Sequence, residues 1–177
     1  MSTKAGKKRA KKKVPDFSAM FDLDPDEGLA FKDVVSAAFH LQDRLGQMGL
    51  VTFPMVTGGK GVHVIAPLTP SAEWPQVKDL PITGRSRPVY RCARQGEADG
   101  QDLRRLSAHQ RGASAVMPYN AWSRPLAPIA VPLSWEELRT LDGPDQWHIG
   151  YAGEMVKRSA SKYPAHWGRA DQILPDL

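Results

Sequence analysis

Apolar positions along the opening of the chain switch from strand to helical spacing and back, and each switch marks an element. The run from Val14 to Leu23 reads as a strand. Pro25, Asp26 and Glu27 then open a helix, with acids in the first turn where the helix dipole favours negative charge. Leu29, Val34, Val35, Ala38, Leu41 and Leu45 recur at helical spacing and predict one buried face, with Gly46 and Gly49 bracketing its end. Val51 to Met55 and Val62 to Ala66 read as two further strands joined by Thr57-Gly58-Gly59-Lys60-Gly61. Strand, helix and hairpin in this order open a two-layer α/β (α+β) fold. Later, Ala113 to Val116 and Ile129 to Val131 are short strand candidates, while Pro118, Pro125, Pro128 and Pro132 hold connecting segments extended. Ser134-Trp135-Glu136-Glu137 has capping-box spacing and opens a helix to Leu141. From Tyr151 the chain reads as a polar, frayed end with Trp167 loosely packed, and His148 and His166 as surface residues.

Composition narrows the class. A chain of 177 residues with 41% hydrophobic and 24% charged positions fits one globular domain with a proper core. No apolar run is long enough to span a bilayer, and no hydrophobic segment follows the charged N-terminus, so neither membrane insertion nor a secretory signal is expected. The single cysteine, Cys92, excludes an internal disulfide framework and is compatible with a reducing cytoplasm. Charge is unevenly spread: Lys4, Lys7, Lys8, Arg9, Lys11, Lys12 and Lys13 give residues 1–13 a charge of +7 against a chain total of +5, leaving −2 for the rest. Such a tail is expected to be disordered. It suits either phosphate attraction through counterion release or a merely solubilising leader.

Two local patterns carry candidate chemistry. In Phe21-Asp22-Leu23-Asp24-Pro25, carboxylates one residue apart on a strand share a face, repel each other, and gain from a shared divalent cation. Pro25 cannot continue an interior strand, so the pair belongs at a strand end. The plainer alternative is a solvated strand exit with acidic turn residues. In the loop, Gly58, Gly59 and Gly61 let the backbone approach a ligand and turn N–H groups towards an anion, with the Thr57 hydroxyl, Lys60 and His63 at hand. This pattern departs from a Walker loop, since Lys60 lacks a following Ser or Thr and a strand follows it. Its alternative is an ordinary glycine-rich turn with an exposed lysine.

Together, F-D-L-D-P-D-E-G-L-A-F-K-D-V-V, T-G-G-K-G-V-H-V, R-G-A-S-A-V-M-P-Y and A-P-I-A-V-P-L-S-W-E-E-L resemble the polymerase domain of bacterial ATP-dependent DNA ligase D, of the archaeo-eukaryotic primase superfamily. The resemblance runs from about Asp16 to Pro144. It implies an RRM-like two-layer catalytic sheet and a template-directed nucleotidyltransferase that fills DNA ends in non-homologous end joining, using nucleoside triphosphates with manganese or magnesium. Ku and a DNA ligase are the implied partners, and a bacterial cytoplasmic, nucleoid-associated location follows. By the same resemblance Asp22 and Asp24 bind metal, Thr57, Gly58, Gly59, Lys60, Gly61 and His63 hold the triphosphate, with His63 also in the catalytic group, and Arg124 is a further nucleotide contact.

Three departures stand against it. The family has an N-terminal lobe where this chain has its basic tail, so residues 14–150 read as a partial domain and 151–177 as an extension. Trp122 stands where the family usually has a triphosphate-binding arginine; it also suits an ordinary surface aromatic. A third metal-binding Asp, expected on a strand before Arg111-Gly112, is not visible. Residues 80–109 show neither helical nor strand periodicity. We read them as a frameshifted segment, the alternative being a divergent insertion. Function accordingly stays open between an active polymerase, a non-catalytic nucleotide- or DNA-end-binding remnant, and a decayed gene product. Read one base later, allowed codons for residues 94–108 yield A-K-A-K-R-T-G-K-I-F-V-D-Y-L-R, which puts the absent Asp in the codon straddling Arg105 and Leu106. Sequencing the gene tests this: codons for Gln101 to Ala108 incompatible with that reading exclude a frameshift.

Overall fold

The structure is a computed structural model that describes residues 17–25, 28–69, 103–108, 116–161 and 166–173, with backbone alone for 17–18 and 103–108. Five strands form one antiparallel sheet: β1 (Phe17–Pro25), β2 (Phe53–Val56), β3 (Val62–Leu68), β4 (Leu103–Ala108) and β5 (Val131–Pro132). Their order is β4-β1-β3-β2-β5. Helix α1 (Phe31–Gln47) connects β1 to β2, which therefore run parallel with β3 between them. This is the split βαβ arrangement, and it bears out the expected α/β fold with an RRM-like strand order.

Alternation along β1 sorts the sheet into two faces. Ala19, Phe21 and Leu23 are buried against Val34, Ala37, Ala38, Leu41 and Leu45 of α1. Met20, Asp22 and Asp24 lie on the opposite face. The helix side is closed by α2 (Trp135–Thr140) and α3 (Ala152–Ser159), whose Leu138 and Met155 join the same core. Buried on both faces, β3 reads as an almost unbroken apolar run, as central strands do.

Local signals explain most element ends, with some shifts from expectation. Helix α1 begins at Phe31, later than Pro25: Pro25 remains in β1, and Gly28 turns the chain with φ 91°. Asp33 caps the new start by accepting from the Ala30 N–H at 3.2 Å. At the other end, Gly49 takes φ 78°, Leu50 N–H donates to Leu45 O and Gly49 N–H to Gly46 O. That Schellman turn buries Leu50 over the last helical turn. Strand β2 starts two residues later than expected, leaving Val51 exposed, and β3 runs on to Leu68. Ser134 and Glu137 form the expected capping box, each side chain bonding the other's N–H, at 3.0 and 2.7 Å. Val14–Asp16, Asp26, Glu27 and Ala113–Ala115 lie outside the described residues.

Two regions carry structure that their sequence pattern does not predict. Within the stretch 80–109, read as aperiodic, residues 103–108 form β4 on the outer side of β1, because an open row of backbone donors and acceptors imposes pairing that side-chain periodicity does not announce. The rest of that stretch lies outside the described residues. The C-terminal region is tied down where fraying was expected. The Trp167 indole donates to Pro54 O at 3.0 Å and its ring meets Phe53 edge-on, while the Gln172 amide bonds Val51 N and O and Pro67 O. In α3, Arg158 makes a two-pronged contact with Glu137 at 2.7 and 2.8 Å and donates to Pro132 O.

The β2–β3 hairpin is docked by two close approaches. A β-carbon on Gly58, whose φ is 76°, would lie 2.8 Å from the Ile129 carbonyl carbon, and one on Gly61 would lie 2.7 Å from Leu23 O. Both contacts are with backbone, which cannot swing aside. Gly61→Ala should therefore destabilise the protein by about 1–3 kcal/mol in urea unfolding. Gly46→Ala, inside α1 with open space around it, should stabilise by about 0.5–1 kcal/mol.

Burial alone would raise the Glu137 carboxyl, but hydrogen bonds from Arg158 and from Ser134 outweigh it and hold the group below its usual range. A depressed folded-state value means stability present above the unfolded value and lost as pH falls through the folded one. Arg158→Met should lower stability by about 1 kcal/mol near neutrality, the pair being partly solvated. That deficit should shrink below about pH 4.3, where unfolded glutamate protonates. Denaturant unfolding of both proteins across pH checks it.

Candidate active site

The helix-free face of the sheet carries a row of register partners, Pro132, Met55, His63, Asp22 and Ser107, drawn from all five strands. Within it His63 Nε2 lies 3.3 Å from Asp22 Oδ1, the histidine side chain 6% exposed and the aspartate 23%. The burial difference sets the roles: His63 is walled in and holds its partner, while Asp22 keeps an open side. Asp24 sits one pleat along on the same face, half-buried. A β-bulge between Asp24 and Pro25 shifts the ladder there, which accommodates the missing proline N–H. The carboxylate pair therefore lies at a strand end, as its sequence suggests.

Hard oxygen donors on one open face suit a divalent cation. Among the described residues, no group of three or more His, Cys, Asp and Glu is placed to hold a metal. Strand β4 sets Arg105 opposite Asp24 and Leu106 opposite Leu23. The boundary to which the shifted reading assigns the missing Asp is thus immediately beside the carboxylate pair.

The glycine loop abuts this face, because the β-carbon position of Gly61 is 3.7 Å from the Asp24 Cα as well as against Leu23 O. Inside the loop, the Thr57 N–H and hydroxyl both donate to Gly61 O at 3.1 Å, and Gly59 N–H donates to the hydroxyl oxygen at 3.2 Å. Thr57 is buried and its hydroxyl serves the turn itself, where the sequence suggested a ligand contact. Lys60 is exposed at the tip. His63 faces Asp22, so it stands nearer the carboxylates than its grouping with the loop implied.

Residues 119–130 fold back across the loop. Tyr119 N–H donates to Ala130 O, Ala130 N–H to Asn120 O and Trp122 N–H to Pro128 O, while Ile129 packs on Gly58. This brings Arg124 to the loop, its Nη1 3.7 Å from the β-carbon position of Gly59. It also brings in Trp122, whose indole N–H donates to Thr57 O at 2.6 Å and whose ring centre lies 5.0 Å from the Arg124 guanidinium carbon. No local pattern signals that contact, which joins residues 65 positions apart. The structure thus gathers every proposed site residue around one corner of the sheet, in two adjoining groups: Asp22, Asp24 and His63, and the loop with Arg124.

Comparison with known proteins bears on the chain's family. The family described as LigD, primase-polymerase domain matches residues 3–84 and 105–163. It reaches into the basic tail and past residue 150, and the stretch it skips, 85–104, is narrower than the 80–109 read as aberrant. The multifunctional non-homologous end joining protein LigD of Pseudomonas aeruginosa is 33% identical over 152 residues, covering 82% of this chain and 18% of that protein. Its counterpart from Mycobacterium tuberculosis strain H37Rv is 28% identical over 163 residues, covering 82% and 20%. The chain thus spans about a fifth of these relatives' length. The polymerase domain of Mycobacterium tuberculosis ligase D, solved in complex with DNA, superposes with a TM-score of 0.49 at 24% identity, covering 83% of this chain and 52% of that one. With the family matched over most of its length, the chain belongs to the LigD primase-polymerase domain family.

Proposed function

We propose that this protein is a metal-dependent nucleotidyltransferase that adds nucleotides to DNA ends during non-homologous end joining. The observation that carries the proposal is the junction at Gly61, where the glycine hairpin meets the backbone of the Asp22–Asp24 strand. Phosphate chemistry needs charge neutralisation beside a phosphate cradle, and that junction supports both in one place. Asp22 and Asp24 would hold divalent manganese or magnesium, which when bound supplies Lewis acidity and aligns the reacting oxygens. His63 fixes the orientation of Asp22, as outer-sphere partners of metal ligands do. The loop N–H groups, Lys60 and Arg124 would take the triphosphate of the incoming nucleotide. The DNA end would lie across the same open face, and Ku and an ATP-dependent ligase would act on that end alongside. Among the described residues no helix is long and apolar enough to cross a membrane.

One observation favours a second reading, binding without chemistry. The family match skips residues 85–104, and only two carboxylates meet at the site among the described residues. Two carboxylates leave a pair of cations under-coordinated, which weakens metal affinity more than nucleotide binding.

Primer extension on a short gapped DNA with ribonucleotides and manganese separates the readings. Under the proposal, extension is seen and Asp22→Ala abolishes it, a loss of at least about 100-fold for a metal ligand. Triphosphate and DNA binding with no extension in the unaltered protein would leave the binding reading standing and remove the enzymatic one.

A further inference from the structure

We infer that Trp122 is a positioning residue for a polyphosphate site: it fixes the glycine loop through its indole N–H and holds Arg124 over that loop through its ring. The inference rests on the nucleotide-binding reading above and goes beyond it by assigning the anion site's geometry to an aromatic side chain.

Three observations converge. The indole bond to Thr57 O, at 2.6 Å, is a short one and falls on the residue where the loop begins. Thr57 also closes the loop through Gly61, so pinning its carbonyl fixes the peptide plane leading into Gly58 and the glycine N–H groups beyond. The second observation is the stack of Arg124 on the Trp122 ring, within cation–π range. An exposed arginine otherwise samples many rotamers, and ordering it on binding an anion costs rotamer entropy. Stacked on the ring, the guanidinium already lies beside Gly59. Third, Trp122 is 36% exposed, more than its packing role would need if it served only as core. Its polar edge and one face are committed to the two parts of a single anion cradle, N–H groups on one side and a planar cation on the other.

The ligand class is therefore a di- or triphosphate group, with the base and sugar left to other surfaces. A planar guanidinium with its N–H groups presented in a fork matches phosphate oxygens in two-pronged geometry. Lys60 at the tip adds a compact charge.

The experiment is calorimetric binding by the full chain of inorganic tripolyphosphate, a nucleoside triphosphate and the bare nucleoside, with manganese present. Four proteins are compared: unaltered, Trp122→Phe, Trp122→Ala and Lys60→Ala. Trp122→Phe keeps a ring for Arg124 and removes only the N–H, so triphosphate affinity should fall about 5-fold, the net worth of one hydrogen bond. Trp122→Ala removes both contacts and should lower it about 10- to 30-fold. Affinity for the bare nucleoside should stay unchanged, which a purely structural role for Trp122, acting on the fold as a whole, does not predict. Trp122→Phe binding both phosphates as the unaltered protein does, while Lys60→Ala loses them, overturns the positioning role and leaves the nucleotide site intact. An unaltered protein that binds neither phosphate overturns the site and the role together.

Discussion

The rest of the site depends on a contact with no side chain in it. Gly61 lies so close to the Leu23 carbonyl that a β-carbon would sit 2.7 Å from the oxygen. Because both sides of that contact are backbone, its geometry is set by the sheet alone. The strands β1 and β3 pair across it, carrying Asp22 against His63 two residues along. A larger residue at 61 would push the hairpin off the strand, and the glycine loop would part from the carboxylates. Gly58 anchors the other flank against Ile129, through which the fold-back segment with Trp122 and Arg124 is tied to the same loop.

What the sequence discloses follows from how local each feature is. Helix α1 is legible because Val34, Ala38, Leu41 and Leu45 fall on one stripe and face a single partner, the sheet. Its start is misread because acids at 26 and 27 resemble a first turn, whereas the left-handed Gly28 turns the chain first. The carboxylate pair and the glycine loop are visible as patterns, and the register that unites them follows once β1 and β3 are adjacent. Three features stay invisible because they join distant backbone to side chains: Trp122 on Thr57, Trp167 on Pro54, and Gln172 on Val51. Periodicity within a window holds no information about such bonds. Strand β4 is a different case, since its pairing answers to the backbone of β1 more than to its own pattern.

The two layers divide the work of the molecule. On the helix side, α1, α2 and α3 share one apolar core with the sheet. On the other side, packing among the described residues is a small cluster around Met55, Ile65 and Ala130, with Trp167 against it. Below the carboxylates, then, the C-terminal segment covers the sheet, and at the carboxylate end no described residue packs over the face in the same way. That division lets polar residues occupy a sheet face without being buried and unsatisfied.

The position of β4 has a consequence for the chain's solution behaviour. It covers the outer edge of β1, a strand of nine residues that alternates Phe21 and Leu23 with Asp22 and Asp24. Stripped of β4, that edge would offer a long row of unmatched amides beside large apolar groups, the template on which a second copy adds a strand. Aspartates on the helix-free face are the defence the sequence already carries, since two copies paired there would bring like charges together. The acidic pair thus has a bearing on self-association as well as on ligands: neutralising it by substitution would remove a charge barrier to edge-to-edge pairing.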